Sequence, residues 1–403
     1  MYISRQTKVI LGIVVLFLMV TVWLLAVSER ICVARTGIEP NTAFAEDSVF
    51  KTAVTEMEEV TLGALVRAYN RETGFFIYEA HPDGTVFTTN NDIRQLLAAH
   101  VLALASVQDE TLRPLHKANL EAVMQAWYRE EGGVGYVYAD EKSKLGGIAM
   151  LLRVLSASPF FETYEKEAKR LVYTIRLLQN DNGSFEAWFK EPSYEYDKDY
   201  LLTFYSGEAI LALLEYGDKT GDTLAFEVAK EAQDFYIGEY VDRIDENYYP
   251  AYVPWHTLSL AKLYEKTGEE KYKDALFVLT DKLLELQDTT EFIGRFYNPE
   301  TPEYGTPHAS TDAVYTEGLA IAYTVAKDVG DIEREVRYRE ALVRAFQNLQ
   351  NLEFTAPWYR VFDSSEMASR LKGGIQTGAC VSKIRVDSTA HTVDALKAIL
   401  QGL

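Results

Sequence analysis

Cysteine is nearly absent from this chain. Its 403 residues hold two, Cys32 and Cys380, and a pair so far apart builds neither a disulfide framework nor a zinc-binding pattern. Cys32 follows Ser28–Glu29–Arg30–Ile31, which is no lipobox, and nothing in the sequence implies redox chemistry. Positive charge is also short: 40 Lys and Arg stand against 60 Asp and Glu, for a net charge of −20. Such a surface repels DNA, RNA and anionic lipid, which excludes nucleic acid as a partner and disfavours a strongly polyanionic substrate. Strand-like alternation of useful length is missing, and so is low complexity. No Walker loop, dinucleotide fingerprint or metalloprotease helix occurs. No cofactor and no metal site are therefore expected.

Charge disappears altogether from Val9 to Val27. An uncharged run of that length spans a bilayer as a helix. Arg5 and Lys8 precede it without an acid, so residues 1–8 are expected to stay cytoplasmic, 9–27 to act as a transmembrane signal-anchor, and the rest to lie outside the cytoplasmic membrane. Cleavage near Ala26–Val27–Ser28, releasing a secreted protein, is the alternative. Residues 28–46, with Gly37 and Pro40 and no helical periodicity, read as a linker. The remaining 47–403 form one unit.

That unit repeats. A long charged helical pattern runs six times into an aromatic-rich loop and then into a shorter helix of small residues. The loops carry Phe75–Phe76–Tyr78, Tyr136–Tyr138, Phe185–Trp188–Phe189, Tyr248–Tyr249–Tyr252, Phe296–Tyr297 and Trp358–Tyr359–Phe362. The short helices are expected to begin near Asp92, Leu145, Ser206, Trp255, Asp312 and Ser388. Gly-centred turns, Lys219–Thr220–Gly221–Asp222, Lys266–Thr267–Gly268–Glu269 and Val329–Gly330–Asp331, supply left-handed C-caps that let the chain reverse. A repeat of this period fixes the architecture before any motif does. The expectation is an all-α fold, an (α/α)6 toroid of six helical hairpins. Such a ring sets the N-termini of all the inner helices on one rim.

Polar residues gather at those starts: Asn90–Asn91–Asp92 with Arg94, Asp140 to Lys144, Tyr205–Ser206–Gly207–Glu208 and Trp255–His256–Thr257. The last two groups are Ser310–Thr311–Asp312 with Tyr315 and Glu317, and Arg385–Val386–Asp387–Ser388 with His391. Asn, Asp, Ser and Thr are favoured N-caps, so any single one needs no further role. Capping does not call for Glu208 beside Tyr205, for Glu317 deeper in its helix, or for Asp387 and His391 four residues apart on one face. Aromatics on the same rim suit a sugar, whose ring has an apolar face and a belt of hydroxyls. Trp188, Tyr252, Trp255, Tyr297 and Trp358 are candidates for stacking, with Tyr205, His256, Tyr315 and Arg385 as further substrate contacts.

In repeat texture, residues 47–403 resemble the six-hairpin carbohydrate enzymes as a superfamily. The Tyr205–Ser206–Gly207–Glu208–Ala209 segment and the Lys–Thr–Gly turns are similar to six-hairpin glycosidases and to the sugar epimerases built on this ring. Gly373–Gly374 followed by Arg385–Val386–Asp387 and His391 is similar to the last repeat of these rings and of glucuronyl epimerase C-terminal domains. The resemblance implies a carbohydrate substrate. The leading expectation is a membrane-anchored, extracytoplasmic glycoside hydrolase. An inverting hydrolase pairs an acid and a base about 6.5 to 9.5 Å apart; Asp312 or Glu317 is the candidate for one, and Glu208 or Asp387 for the other, with His391 beside Asp387. A sugar epimerase working through His256, His391 and Tyr205 is the second expectation, and a non-catalytic glycan-binding or scaffold toroid the third.

Overall fold

The computed structural model describes Met19 and residues 41–355, 366–379 and 381–403. The expected anchor at 9–27 (Met19 aside), Trp358, Cys32 and Cys380 lie outside the described residues. Among the described residues, no helix is long and apolar enough to cross a membrane.

Twelve long helices among the described residues alternate between two layers. The outer layer is α1 (Asp47–Ala68), α3 (Arg113–Trp127), α5 (Glu165–Leu177), α7 (Thr223–Tyr240), α9 (Glu270–Leu284) and α11 (Ile332–Leu352). The inner layer is α2 (Asp92–Gln108), α4 (Leu145–Ala157), α6 (Lys198–Thr220), α8 (Val253–Thr267), α10 (Ala309–Val329) and α12 (Val386–Gly402). Inner helices pack in sequence around the ring, α2 on α4, α4 on α6, and so on to α10 on α12, and α12 returns to α2. The ring is closed, as the repeat requires.

The two layers differ for a sequence reason. On α9, Tyr272, Ala275, Leu276, Leu279, Thr280 and Leu283 are buried, a three-and-four spacing that makes one apolar stripe on an otherwise charged helix. On α6, every residue from Tyr205 to Leu214 is buried, because an inner helix touches neighbours on all sides. Glycine allows the close approach. A Cβ at Gly207 would lie 2.5 Å from that of Trp255, so α6 and α8 could not pack this tightly with any larger residue there.

Returns from inner to outer helix are short, and Gly221, Gly268 and Gly330 end α6, α8 and α10 with φ of 74°, 66° and 73°. That is the expected left-handed cap. Connections from outer to inner helix are long and hold the aromatic clusters. They also hold a few short strands. Short antiparallel pairs join Tyr128–Glu131 to Val134–Val137, Ser143–Lys144 to Trp188–Lys190, and Glu79–Ala80 to Ile384–Arg385. Pairings of two to four residues carry too little alternation to register as a pattern. The last pair stitches the first repeat to the sixth, with Glu79 opposite Arg385, and so fixes where α12 begins. At the other end of the unit, Phe44 tucks against Phe50 and Phe346 at 5.6 and 5.5 Å, which fastens the approach to α1.

Candidate active site

Where the inner helices begin, a cavity of about 450 Å³ opens along the ring axis. Trp255 and Met150 line its depth. Tyr200, Phe204, Tyr249 and Tyr304 form an aromatic side wall, joined edge-to-face at 5.4 to 6.0 Å. Polar groups come from the starts of three inner helices: Arg94 on α2, His308 and Ser310 at α10, and Arg385, Asp387 and His391 at α12. Glu208 reaches the cavity from α6. A concave, largely apolar site with a few convergent polar groups is the usual form of a small-molecule site.

Two carboxyls in this cavity are held in opposite states. Glu208 is 4 % exposed, and its Oε2 is buried with no hydrogen-bond partner. Burial raises its pKa to about 7, with Arg153 and Lys144 drawing it down and Asp92 pushing it up. Asp387 is equally buried, and burial alone would raise it too. The fork of Arg385, at 2.6 and 2.7 Å, and the guanidinium of Arg94, at 3.0 Å, outweigh that and leave it below its ordinary value. A pair of carboxyls pushed apart in this way divides into an acid and an anion at neutral pH.

Two imidazoles share the cavity. Burial lowers both His308 and His391 to about 4, so each is neutral. His308 is committed to capping α10, its Nδ1 accepting from the Ser310 backbone at 3.1 Å. His391 has a buried Nδ1 without a partner, and its ring lies 5.9 Å from that of Trp255. Asp387 sits one turn away yet gives both oxygens to arginine.

The structure gathers Glu208, Asp387, His391, Trp255, Tyr315 and Arg385 at this cavity. Others from the sequence lie elsewhere. Asp312 accepts from the Phe296 backbone and from Asn348, both at 2.9 Å; burial raises it to about 6, and both oxygens serve to clasp the loop onto α10 and α11. Glu317 lines a separate cavity at the far end of the ring. His256 is sealed between Ser206 and Gln233 at 3.1 and 3.0 Å, and burial lowers it to about 3. Tyr252 is fully buried and stacked on Tyr240 at 4.0 Å. Tyr297 sits beside Arg295, and Trp188 packs on Tyr196 at 4.9 Å. Tyr205 stands behind Glu208, and burial followed by that neighbour raises its phenol.

One boundary accounts for several of these placements. Helix α6 starts at Lys198, capped by Asp197 on the Tyr200 N–H at 3.0 Å, not at Ser206. The Ser206 hydroxyl instead donates back to Leu202 O at 2.6 Å. The extra two turns bring in Tyr200 and Phe204, which the sequence reading did not select, and set Glu208 deep in the ring. Gly146 on α4 makes room for it. A Cβ there would meet the Tyr205 ring at 2.4 Å and Glu208 Oε2 at 2.6 Å. Gly146→Ala is therefore expected to cost about 1 to 3 kcal/mol of stability by overpacking and to displace Glu208. A thermal melt with turnover on the same sample checks both, and a variant unchanged in each would show that the helices part easily.

Residues 49–349 match the family described as the β-L-arabinofuranosidase GH127 catalytic domain. No curated protein matches the chain. Among solved structures, a D-mannose isomerase is similar at 14% identity and TM-score 0.65, over 87% of this chain and 98% of that one. The GH76A α-1,6-mannanase of Salegentibacter sp. HEL1_6 is similar at 13% and 0.62, over 87% and 100%. An unsaturated glucuronyl hydrolase from Streptococcus agalactiae is similar at 13% and 0.58, over 87% and 92%. At these identities the likeness is one of fold, and it is the six-hairpin ring.

Proposed function

This chain belongs to the family of the β-L-arabinofuranosidase GH127 catalytic domain, and on that premise we propose that it is a glycoside hydrolase with Glu208 as proton donor and Asp387 as its anionic partner. The observation that carries the proposal is the contrast between the two carboxyls of one cavity. Glu208, raised to about 7, is half protonated near neutrality and has a free oxygen. It can give its proton to the leaving glycosidic oxygen. Asp387, kept anionic by Arg385 and Arg94, faces the positive charge that develops on the sugar ring in the transition state. Trp255 and Tyr315 offer ring faces for the apolar side of the sugar, and Arg94, His308 and Ser310 offer groups for its hydroxyls. The cavity's position supports one sugar bound end-on along the ring axis. With the uncharged stretch at 9–27, the reading is of an enzyme tethered outside the cytoplasmic membrane.

The unpartnered Nδ1 of His391 supports a second reading, proton transfer at a sugar carbon without cleavage, as in an isomerase or epimerase. One experiment separates the two. The full-length chain is incubated with arabinofuranosides, mannosides and unsaturated glucuronides, in heavy-oxygen water and in deuterium oxide, and the products are weighed. Heavy oxygen in a released sugar is the expected result. Deuterium in an uncleaved sugar would replace the hydrolase with the second reading, and binding without either label would leave a glycan-binding ring.

A further inference from the structure

The ring has a second mouth. Where the inner helices end, a cavity of about 700 Å³ draws lining residues from all six of them, and the hydrolase reading uses none of it. Arg153, paired with Glu215 at 2.8 and 2.9 Å and lying 5.8 Å from the Trp255 ring, divides this space from the rim cavity. Its lining is unusually polar for a protein interior. Glu317 on α10 and Asp394 on α12 are both buried and make no hydrogen bond among the described residues. His100 is 4 % exposed with Nδ1 unpartnered, and Ser156 Oγ in the same lining is buried and unpartnered as well. A buried polar group without a partner costs free energy, and here several converge on one space.

Charge narrows what fits there. Glu215, Glu265, Glu317, Asp328 and Asp394 face Arg153, Lys262 and Lys397. Arg153 is paired with Glu215 and Lys262 with Asp218 at 3.1 Å, while Lys397, 3.9 Å from Glu58, keeps its Nζ buried without a hydrogen bond. Among the described residues no Lys or Arg forms an ion pair with Glu317 or Asp394, although the charge of Arg153 acts on both and that of Lys397 on Asp394. Burial raises Glu317 to about 8 and Asp394 to about 6, Asp394 adding to the rise of Glu317 and Arg153 opposing both, so near neutrality Glu317 keeps a proton that a bound cation would release. Among the described residues, no three His, Cys, Asp or Glu side chains are grouped to hold a metal ion. An ammonium needs no such cage, because it carries its own N–H donors. His100, Ser156, Thr324 and Gln401 remain for hydroxyls.

We propose that this mouth is a second binding site, for a small hydroxylated primary amine whose ammonium lies between Glu317 and Asp394. The cavity's size suits a molecule of about sugar dimensions.

Calorimetric titration of the full-length chain with glucamine and with sorbitol, which carries a hydroxyl in place of the amine, tests it. Saturable binding of glucamine is expected, with heat that varies with the buffer's ionisation enthalpy as protons leave, and no saturable binding of sorbitol. Glu317→Gln and Asp394→Asn should each weaken glucamine by about 10- to 100-fold, the loss of a charge-assisted hydrogen bond. Both remove a buried acid and should fold. Glu208→Gln should leave the titration unchanged, which separates this site from the rim whatever becomes of the hydrolase reading. Equal binding of sorbitol, no saturation by glucamine, or indifference to both carboxyl variants would overturn the proposal. So would loss of binding in Glu208→Gln.

Discussion

Replacing Glu208 with glutamine is expected to lower kcat on a cleaved glycoside by about 10²- to 10⁴-fold, the range for loss of a positioned general acid. The fold should survive, because Glu208 is buried with an unpartnered oxygen and the amide removes a charge that burial already disfavours. The pH profile makes the test specific. A proton donor with a pKa of about 7 loses its proton as pH rises, so wild-type activity should fall about tenfold per pH unit above that value. The falling limb should vanish from the residual activity of Glu208→Gln. Asp387 behaves in the opposite sense. Its lowered pKa keeps it anionic through the neutral range, and activity should be lost only where pH drops below the usual carboxylate range. Substrates with a good leaving group need little protonation and should be the least impaired by Glu208→Gln. A variant that keeps wild-type kcat and the same alkaline limb would remove Glu208 from the proton-donor role.

The ring is legible in the sequence because its cause is periodic. Six alternations of a charged helix, an aromatic loop and a small-residue helix leave one closed arrangement, and the Gly221, Gly268 and Gly330 caps mark three of its reversals. Helix starts were read to within a few residues where the chain has a sharp boundary, as at Asp92 and Leu145. At α6 the reading failed by eight residues, from Ser206 back to Lys198. Ser206 looked like a cap, and a serine that donates to the carbonyl four residues earlier leaves the same local sequence as one that caps.

The site was harder to read, because a sequence places a residue on a helix and not around it. Asp312 and Asp387 open successive inner helices in much the same way. One fastens the Phe296 loop and the other faces the cavity, and only the paths of distant loops decide between them. Glu317 lies about two turns into α10 from Ala309, and that distance along the helix puts it at the other mouth. His308 escaped notice because a histidine seldom caps a helix. The antiparallel pairing of Glu79 with Arg385, which brings Arg385 to the rim, joins residues some three hundred positions apart.

Arg153 links the two mouths, and its removal should have the largest effect on stability. The guanidinium is buried, and although burial opposes its charge, Glu215, Glu317 and Asp394 together raise its pKa. Arg153→Met leaves Glu215 without its fork and takes the same positive charge away from Glu317 and Asp394. Breaking a buried pair from one side costs about 3 to 5 kcal/mol. The sign of the pH dependence identifies the cause. In the wild type, Glu215 sits below its ordinary value despite burial, because of Arg153; it contributes stability above the unfolded glutamate range that is lost as pH falls. Without Arg153, burial should raise it instead. The folded state then binds more protons than the unfolded one across the neutral range, so stability should fall as pH rises. Urea melts near about pH 5.5 and about pH 8.5 should therefore show a deficit that widens toward the alkaline side. Arg153→Met combined with Glu215→Leu should recover part of the loss, since apolar replacements of both members of a buried pair are often tolerated. If the single variant loses the same stability at both pH values, the deficit belongs to the packing of Arg153 beside Trp255, and the septum between the mouths is steric and not electrostatic.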